Sequence, residues 1–221
     1  MSSYVIVGDS QAEGLLLRVA LPAKLGDRLA GGYDHRGWST SRLLRDGAIG
    51  EAADAALARN AKLLIFSGGN DNDVLASPAN LDRYKNTLLD VVGALARKSA
   101  AAGRPLEVVW FGPVFARIAP DSAQHPATAQ AMRTILATSE AQARAREGGS
   151  RLSLRWVDSQ PLTSDLAREE NVHLTADGYG TFADRVLNTV EGSGAAVAGA
   201  GFAVAVLVGG LGYWLWTRSA R

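Results

Sequence analysis

The residues Tyr4-Val5-Ile6-Val7-Gly8-Asp9-Ser10 predict a short buried strand that ends in a glycine and two polar residues. The same order recurs further along the chain, where the apolar run Leu63-Leu64-Ile65-Phe66 precedes Gly68-Gly69-Asn70-Asp71. A hydroxyl and a side-chain amide are therefore expected at the carboxyl ends of neighbouring strands. In open α/β sheets, ligands bind at that edge.

Apolar runs and helical patterns alternate along the first 190 residues, and this predicts a three-layer α/β/α sandwich around a parallel sheet. Strands are predicted over 4–7, 31–36, 62–66, 106–111 and 152–157, and helices over 11–25, 39–59, 79–101, 124–147 and 176–190. The strands are short and apolar, as in sheets that are covered on both faces.

A third segment, Glu170-Asn171-Val172-His173, precedes the last predicted helix. A hydroxyl, an amide donor and an imidazole with a nearby carboxylate are the groups that an acyl-transfer site needs. Each group also has a plainer interpretation: Ser10 as a helix cap, Asn70 as a turn residue and His173 as a surface histidine. It is their order and placement together that favour a site.

These segments resemble the SGNH (GDSL-type) hydrolase family. Its first block, Gly-Asp-Ser-x-x-x-Gly, corresponds to Gly8–Gly14, and its third, Gly-x-Asn-Asp, to Gly68–Asp71. Gly37 lies at the position of the glycine in the second block, and Glu170–His173 lies at the position of the fifth block, Asp-x-x-His. The resemblance covers about residues 3–190 and implies a flavodoxin-like fold with a mostly parallel five-stranded sheet.

The resemblance also implies a role for each residue. Ser10 would attack an ester carbonyl, His173 would take its proton, and Glu170 would orient the imidazole. The backbone N–H groups of Ser10 and Gly37, with the side chain of Asn70, would form the oxyanion hole. Neither a cofactor nor a metal is implied.

The chain departs from the family pattern at the acid, because glutamate stands where the family has aspartate. Glutamate is one methylene longer and can still reach an imidazole, and some triads use it. Asp165 is the alternative partner for His173. Asp9 is expected to accept backbone hydrogen bonds near Ser10, and His35 is expected to be a plain loop residue, with a place in the pocket lining as the alternative.

Composition excludes several other functions. The net charge is +1, which gives no electrostatic reason to expect nucleic acid as a partner. The chain has no cysteine and three histidines, so thiolate chemistry is excluded and a metal centre is not expected.

The C-terminal part of the chain differs from the rest. Residues 1–190 are expected to form the catalytic domain, 191–194 a Gly/Ser linker, 195–217 a transmembrane helix and 218–221 a basic tail. The stretch from 195 to 216 is uncharged, and Tyr213, Trp214 and Trp216 cluster at one end, as in an interfacial aromatic belt. Pairs of small residues four apart, such as Gly199 and Ala203, are compatible with self-association.

This segment predicts a single-pass, C-terminal membrane anchor. Without a leader before the first strand, such an anchor places the domain on the cytoplasmic side, whereas Arg218 and Arg221 beyond the span favour the opposite orientation. The side of the membrane therefore stays open.

The leading hypothesis is a membrane-anchored serine esterase that acts on a lipid or an acetylated glycan. One alternative is a non-catalytic scaffold or binding module in a membrane, envelope or virion assembly, since fold does not fix function. Another is an O-acyltransferase that uses the same three side chains.

Overall fold

The five strands form one parallel sheet in the order β2-β1-β3-β4-β5. The structure is a computed structural model, and it describes residues 2–18, 21–34, 38–71, 74–119 and 121–192. The strands are β1 (Tyr4–Gly8), β2 (Leu29–Asp34), β3 (Lys62–Phe66), β4 (Leu106–Phe111) and β5 (Leu152–Val157). β1 therefore lies between β2 and β3, and the chain reverses its direction of winding there.

Helices cover the sheet and connect its strands. They are α1 (Ser10–Glu13), α2 (Leu21–Leu25), α3 (Thr40–Arg45), α4 (Ala48–Arg59), α5 (Pro78–Ala102), α6 (Asp121–Arg146), α7 (Gln160–Thr163) and α8 (Ala176–Glu191). A π-helical turn, Gly14–Arg18, follows α1, and a 3-10 turn, Gly26–Arg28, follows α2.

Each face of the sheet has its own apolar layer. On one face, alternate strand residues such as Val5, Ile65 and Trp110 are buried in a cluster with side chains from α4, α5 and α6. On the other face, Phe66 stacks on Phe111 at 4.6 Å between ring centroids and meets Phe182 of α8 edge-on at 6.2 Å. The three-layer α/β fold predicted from the alternating pattern is confirmed.

The predicted strands over 62–66, 106–111 and 152–157 match the structure, whereas two predicted helices are divided. The helix predicted over 39–59 is interrupted by Gly47, whose φ of 85° is left-handed and ends α3 before α4 begins. The helix predicted over 11–25 is also wrong as a single α-helix, because the π-helical turn Gly14–Arg18 follows the four residues of α1.

The chain divides into two compact units, residues 1–186 and 187–221. Of the second unit, the structure describes residues 187–192, which are the end of α8 and Gly192. No helix within the described residues is both long and apolar enough to cross a membrane. The predicted span 195–217, the linker from 193 onward and the basic tail lie outside the described residues.

Candidate active site

Ser10 is the first residue of α1, directly beyond the carboxyl end of β1. Asp9 caps the helix, and its Oδ1 accepts a hydrogen bond from the N–H of Gln11 at 3.0 Å. The N–H of Asp9 donates to the carbonyl of Phe66 at 3.0 Å, which ties this turn to the end of the neighbouring strand β3. Strand pairing thus brings the loops after β1 and β3 together at one edge of the sheet.

The buried side chain of Asp9 joins the loop after β1 to the loop after β3. Its Oδ2 accepts the N–H of Gly69 at 3.3 Å. Burial raises the pKa of Asp9 to about 7, and the nearby Asp71 carboxylate adds to the rise, while the N–H groups of Gln11 and Gly69 oppose it. The predicted structural role for Asp9, accepting backbone hydrogen bonds beside Ser10, agrees with these contacts.

His173 lies between Ser10 and Glu170. Its Nε2 is 3.1 Å from Ser10 Oγ, and its Nδ1 is 3.0 Å from Glu170 Oε2. A proton on Nδ1 that is donated to Glu170 leaves the Nε2 lone pair facing the serine hydroxyl, which is the arrangement that a general base requires. The side chains of His173 and Glu170 are 36% and 73% exposed, so this end of the site is open to water.

Asp165, the alternative acid, is bound to a different partner. Both of its carboxylate oxygens accept hydrogen bonds from Arg185, at 2.6 and 2.9 Å. The guanidinium of Arg185 lowers the pKa of Asp165 to about 2. The structure therefore places Glu170, and not Asp165, at hydrogen-bond distance from His173.

The loop after β3 carries Asn70 in a half-buried turn. Gly68 has a φ of 105°, a conformation that glycine adopts without steric cost, and a Cβ there would lie 2.7 Å from Met132 Sδ. The following Asp71 is buried, and its Oδ2 accepts the hydroxyl of Thr40 at 2.6 Å. Tyr84 adds a longer contact at 3.5 Å. These buried contacts fix the base of the loop that presents Asn70.

Gly37 and His35 lie outside the described residues, and the predictions made for them stay predictions. Ser39 and Thr40, which follow, begin α3: the Ser39 hydroxyl caps that helix at Arg42, and the N–H of Thr40 donates to Asp71 Oδ1 at 3.1 Å. The segment after β2 is thereby tied to the same edge of the sheet.

The sequence did not identify three residues that hold the His173 loop. The Nε2 of Gln11 donates to the carbonyl of Val172 at 3.3 Å, and the hydroxyl of Tyr179 donates to Gln11 Oε1 at 3.2 Å. Asn171 Oδ1 accepts the N–H groups of residues 117 and 118, both at 2.8 Å. One of these contacts had a signal in the sequence, the glycine at position 14 of the segment Gly8–Gly14. A Cβ at that position would lie 2.1 Å from the Tyr179 ring, so the packing of Tyr179 requires glycine there.

A polar pocket of about 460 Å³ adjoins Asn70, between α3 and α5. Its lining includes Ser39, Ser41, Asn70, Asn80, Arg83 and Thr87. An apolar groove of about 680 Å³ lies between α5 and α6, and the residues that line it include none of those predicted for the site. Within the described part of the chain, no group of three or more His, Cys, Asp or Glu side chains is arranged to hold a metal ion.

No protein-family model matches this chain, and no curated protein matches it. Among solved structures, Axe2, an acetylxylan esterase from Geobacillus stearothermophilus, superposes with a TM-score of 0.54 at 14% sequence identity, over 86% of this chain and 94% of that chain. A catalytic mutant of Axe2 superposes with a TM-score of 0.54 at 15% sequence identity, over 86% of this chain and 95% of that chain. The chain shares the fold of these proteins.

The solved catalytic mutants of Axe2 replace a serine, an aspartate or a histidine by alanine, and the aspartate is three residues before the histidine. The serine mutant superposes with a TM-score of 0.53 at 15% sequence identity, over 86% of this chain and 95% of that chain.

Proposed function

We propose that this protein is an SGNH-type esterase in which Ser10, His173 and Glu170 form the catalytic triad. The observation that carries the proposal is the position of the His173 imidazole, within 3.1 Å of a serine hydroxyl on one side and 3.0 Å of a carboxylate on the other. The aspartate of the related Axe2 precedes its histidine by three residues, the same spacing that separates Glu170 from His173.

In the proposed reaction, Ser10 Oγ attacks the ester carbonyl while His173 Nε2 takes the hydroxyl proton. His173 then delivers that proton to the leaving alcohol, and an acyl-serine remains. Water, deprotonated by His173, then attacks the acyl group. The bond to Ser10 Oγ breaks, His173 returns the proton to that oxygen, and the acid leaves. Glu170 holds the imidazole in the tautomer that this sequence needs and stabilises its charged form.

The negative charge that develops on the carbonyl oxygen needs hydrogen-bond donors. We assign this role to the backbone N–H groups of Ser10 and Gly37 and to the side-chain amide of Asn70. Donors of this kind contribute because they are oriented before the reaction begins. The Asp9 carboxylate accepts hydrogen bonds from the N–H groups of Gln11 and Gly69, and these bonds tie the turn at Ser10 to the loop that carries Asn70. They therefore support the orientation of the donors at Ser10 and Asn70.

Hydrolysis is favoured over acyl transfer by the exposure of the site. The side chains of His173 and Glu170 are 36% and 73% exposed, so water has access to the acyl-serine beside them. Restricting water is one way in which an acyltransferase protects such an intermediate from hydrolysis.

The substrate we propose is an acetyl ester of a polar alcohol such as a sugar. Hydroxyl, amide and guanidinium groups line the polar pocket, and such groups bind sugar hydroxyls. Of the residues proposed for the site, Asn70 lines this pocket, whereas none lines the apolar groove. The similar solved structures reported above are of Axe2, an acetylxylan esterase.

The test uses the full-length chain, Ser10→Ala and the control Ser153→Ala, assayed on p-nitrophenyl acetate. Ser153 is exposed near the amino end of β5, and the site lies at the carboxyl ends of the strands. We expect hydrolysis by the wild type and the control, and a loss of at least 10³-fold in Ser10→Ala. A folded wild type that neither hydrolyses the ester nor reacts with a fluorophosphonate at Ser10 would leave a scaffold role as the better hypothesis.

Substrate class is tested with acetylated xylooligosaccharides against p-nitrophenyl palmitate. Faster turnover of the sugar ester supports the proposal. Faster turnover of the palmitate ester would overturn it in favour of a lipid.

We also propose that residues 195–217 anchor the domain in a membrane, because 22 successive residues from 195 to 216 carry no charge. Flotation of the full-length chain with lipid vesicles tests this. Val204→Arg combined with Leu207→Arg should abolish flotation, and flotation that survives both substitutions would contradict the anchor.

A further inference from the structure

Gln11 links the serine and the histidine of the site by a second, parallel contact. Ser10 meets His173 through its hydroxyl, and the next residue, Gln11, donates from Nε2 to the carbonyl of Val172, the residue before His173. Two neighbouring residues at the start of α1 are therefore bound to two neighbouring residues of the loop before α8, across more than 160 positions of sequence.

The orientation of the Gln11 amide is fixed on its other side. Its Oε1 accepts the hydroxyl of Tyr179, and Gln11 and Tyr179 are 5% and 1% exposed. Because the oxygen is held by a hydroxyl donor, the NH₂ group is left to face the Val172 carbonyl. The Tyr179 ring in turn packs against Gly14, where a Cβ would lie 2.1 Å from the ring.

The other bonds near His173 do not end on the segment that carries Ser10. The N–H groups of Glu169 and Glu170 donate to the carbonyl of His173 at 3.0 and 3.4 Å, which fixes the shape of the loop. Asn171 Oδ1 ties the loop to residues 117 and 118. The Gln11 bond differs from both, because its donor is covalently next to the nucleophile.

We propose that Gln11 is a positioning residue, one that holds the backbone before His173 so that Nε2 stays within hydrogen-bond distance of Ser10 Oγ. This inference rests on the proposed esterase function. Gln11 does not touch the reacting atoms in this role, and its effect should fall on the chemical step and not on substrate binding.

The test compares two near-isosteric variants. Gln11→Met keeps the length of the side chain and removes both hydrogen bonds. Gln11→Glu, in its carboxylate form, keeps an acceptor for Tyr179 and loses the donor to Val172. We expect each variant to lower kcat on p-nitrophenyl acetate by about 10- to 100-fold with KM within twofold, because small displacements of a catalytic group have effects of this size.

Tyr179→Phe provides a coupled control. It removes the hydroxyl that orients the Gln11 amide, so it should lower kcat less than Gln11→Met does. Combined with Gln11→Met it should add nothing further, whereas independent packing effects would add.

The outcomes separate this inference from the function on which it rests. A wild type without esterase activity refutes both. An active wild type that loses activity in Ser10→Ala, together with Gln11 variants that keep kcat within twofold, overturns the positioning role and leaves the esterase in place. A rise in KM at unchanged kcat would also overturn it, since Gln11 would then bind substrate.

Discussion

Replacing Asp9 with asparagine should change how the stability of the protein depends on pH. Burial raises the pKa of Asp9 from 3.8 to about 7 in the folded state. At pH values between 3.8 and about 7, the Asp9 carboxyl is protonated in the folded protein and ionised in the unfolded chain. Rising pH therefore favours unfolding: the stability linked to this proton is fully present below about pH 4 and is lost as the pH passes 7.

The size of the effect follows from the shift in pKa. At about 1.4 kcal/mol per unit, the rise from 3.8 to about 7 corresponds to about 4 kcal/mol, of which about 3 kcal/mol is lost between pH 4.5 and 7.5. Asparagine does not titrate, so Asp9→Asn removes this dependence. The side chain of asparagine has one acceptor oxygen where that of Asp9 has two. The variant therefore loses the hydrogen bond from the N–H of Gln11 or of Gly69, which lowers the free energy of unfolding by about 1–3 kcal/mol at every pH.

The assay is urea unfolding of the full-length chain at several pH values from 4.5 to 7.5. The free energy of unfolding of Asp9→Asn minus that of the wild type should rise across this range by about 3 kcal/mol. Asp90→Asn makes the same chemical change at an exposed position on α5 and is the control. A difference for Asp9→Asn that rises no more than that of the control would refute the argument that burial controls this carboxyl.

Three further substitutions test the site. Glu170→Gln should lower kcat by about 10- to 100-fold. The loss should be smaller than for a buried triad acid, because water already screens the Glu170 carboxylate, which is 73% exposed beside His173. An unchanged kcat would contradict the role of Glu170. Asn70→Ala should lower kcat by about 10²–10³-fold with little change in KM, and a rise in KM alone would instead indicate substrate binding. Gly14→Ala should destabilise the fold by about 1–3 kcal/mol, measured as a lower Tm, because its Cβ would lie 2.1 Å from the Tyr179 ring. The same substitution should cost less in a Tyr179→Ala background.

Local sequence was sufficient to predict β3, β4 and β5. β3 and β4 are short runs of mainly apolar, buried residues, and β5 alternates apolar with polar residues, which is the period of a strand. The polar residues that follow β1 and β3 lie at one edge because the two strands are neighbours and parallel.

Other features depend on contacts that no local pattern contains. Gln11 and Tyr179 are ordinary residues in the sequence, and their hydrogen bond exists because the fold brings positions 168 apart together. The same holds for the choice between Glu170 and Asp165, since only the position of Arg185 shows which carboxylate is already bound. The break of the second predicted helix at Gly47 depended on one left-handed residue within an otherwise helical pattern.

The link between the start of α1 and the loop before α8 would make the proposed esterase activity a sensor of local opening. Separation of that loop and α8 from the sheet breaks the Ser10–His173 and Gln11–Val172 contacts together, while the β1–β3–β4 core remains paired. In graded denaturant, ester hydrolysis should therefore fall before the tryptophan fluorescence changes, since the buried Trp110 of β4 contributes to that signal. A nascent chain would likewise stay inactive until α8 has docked, so that hydrolysis would begin only after residues 1–186 have folded.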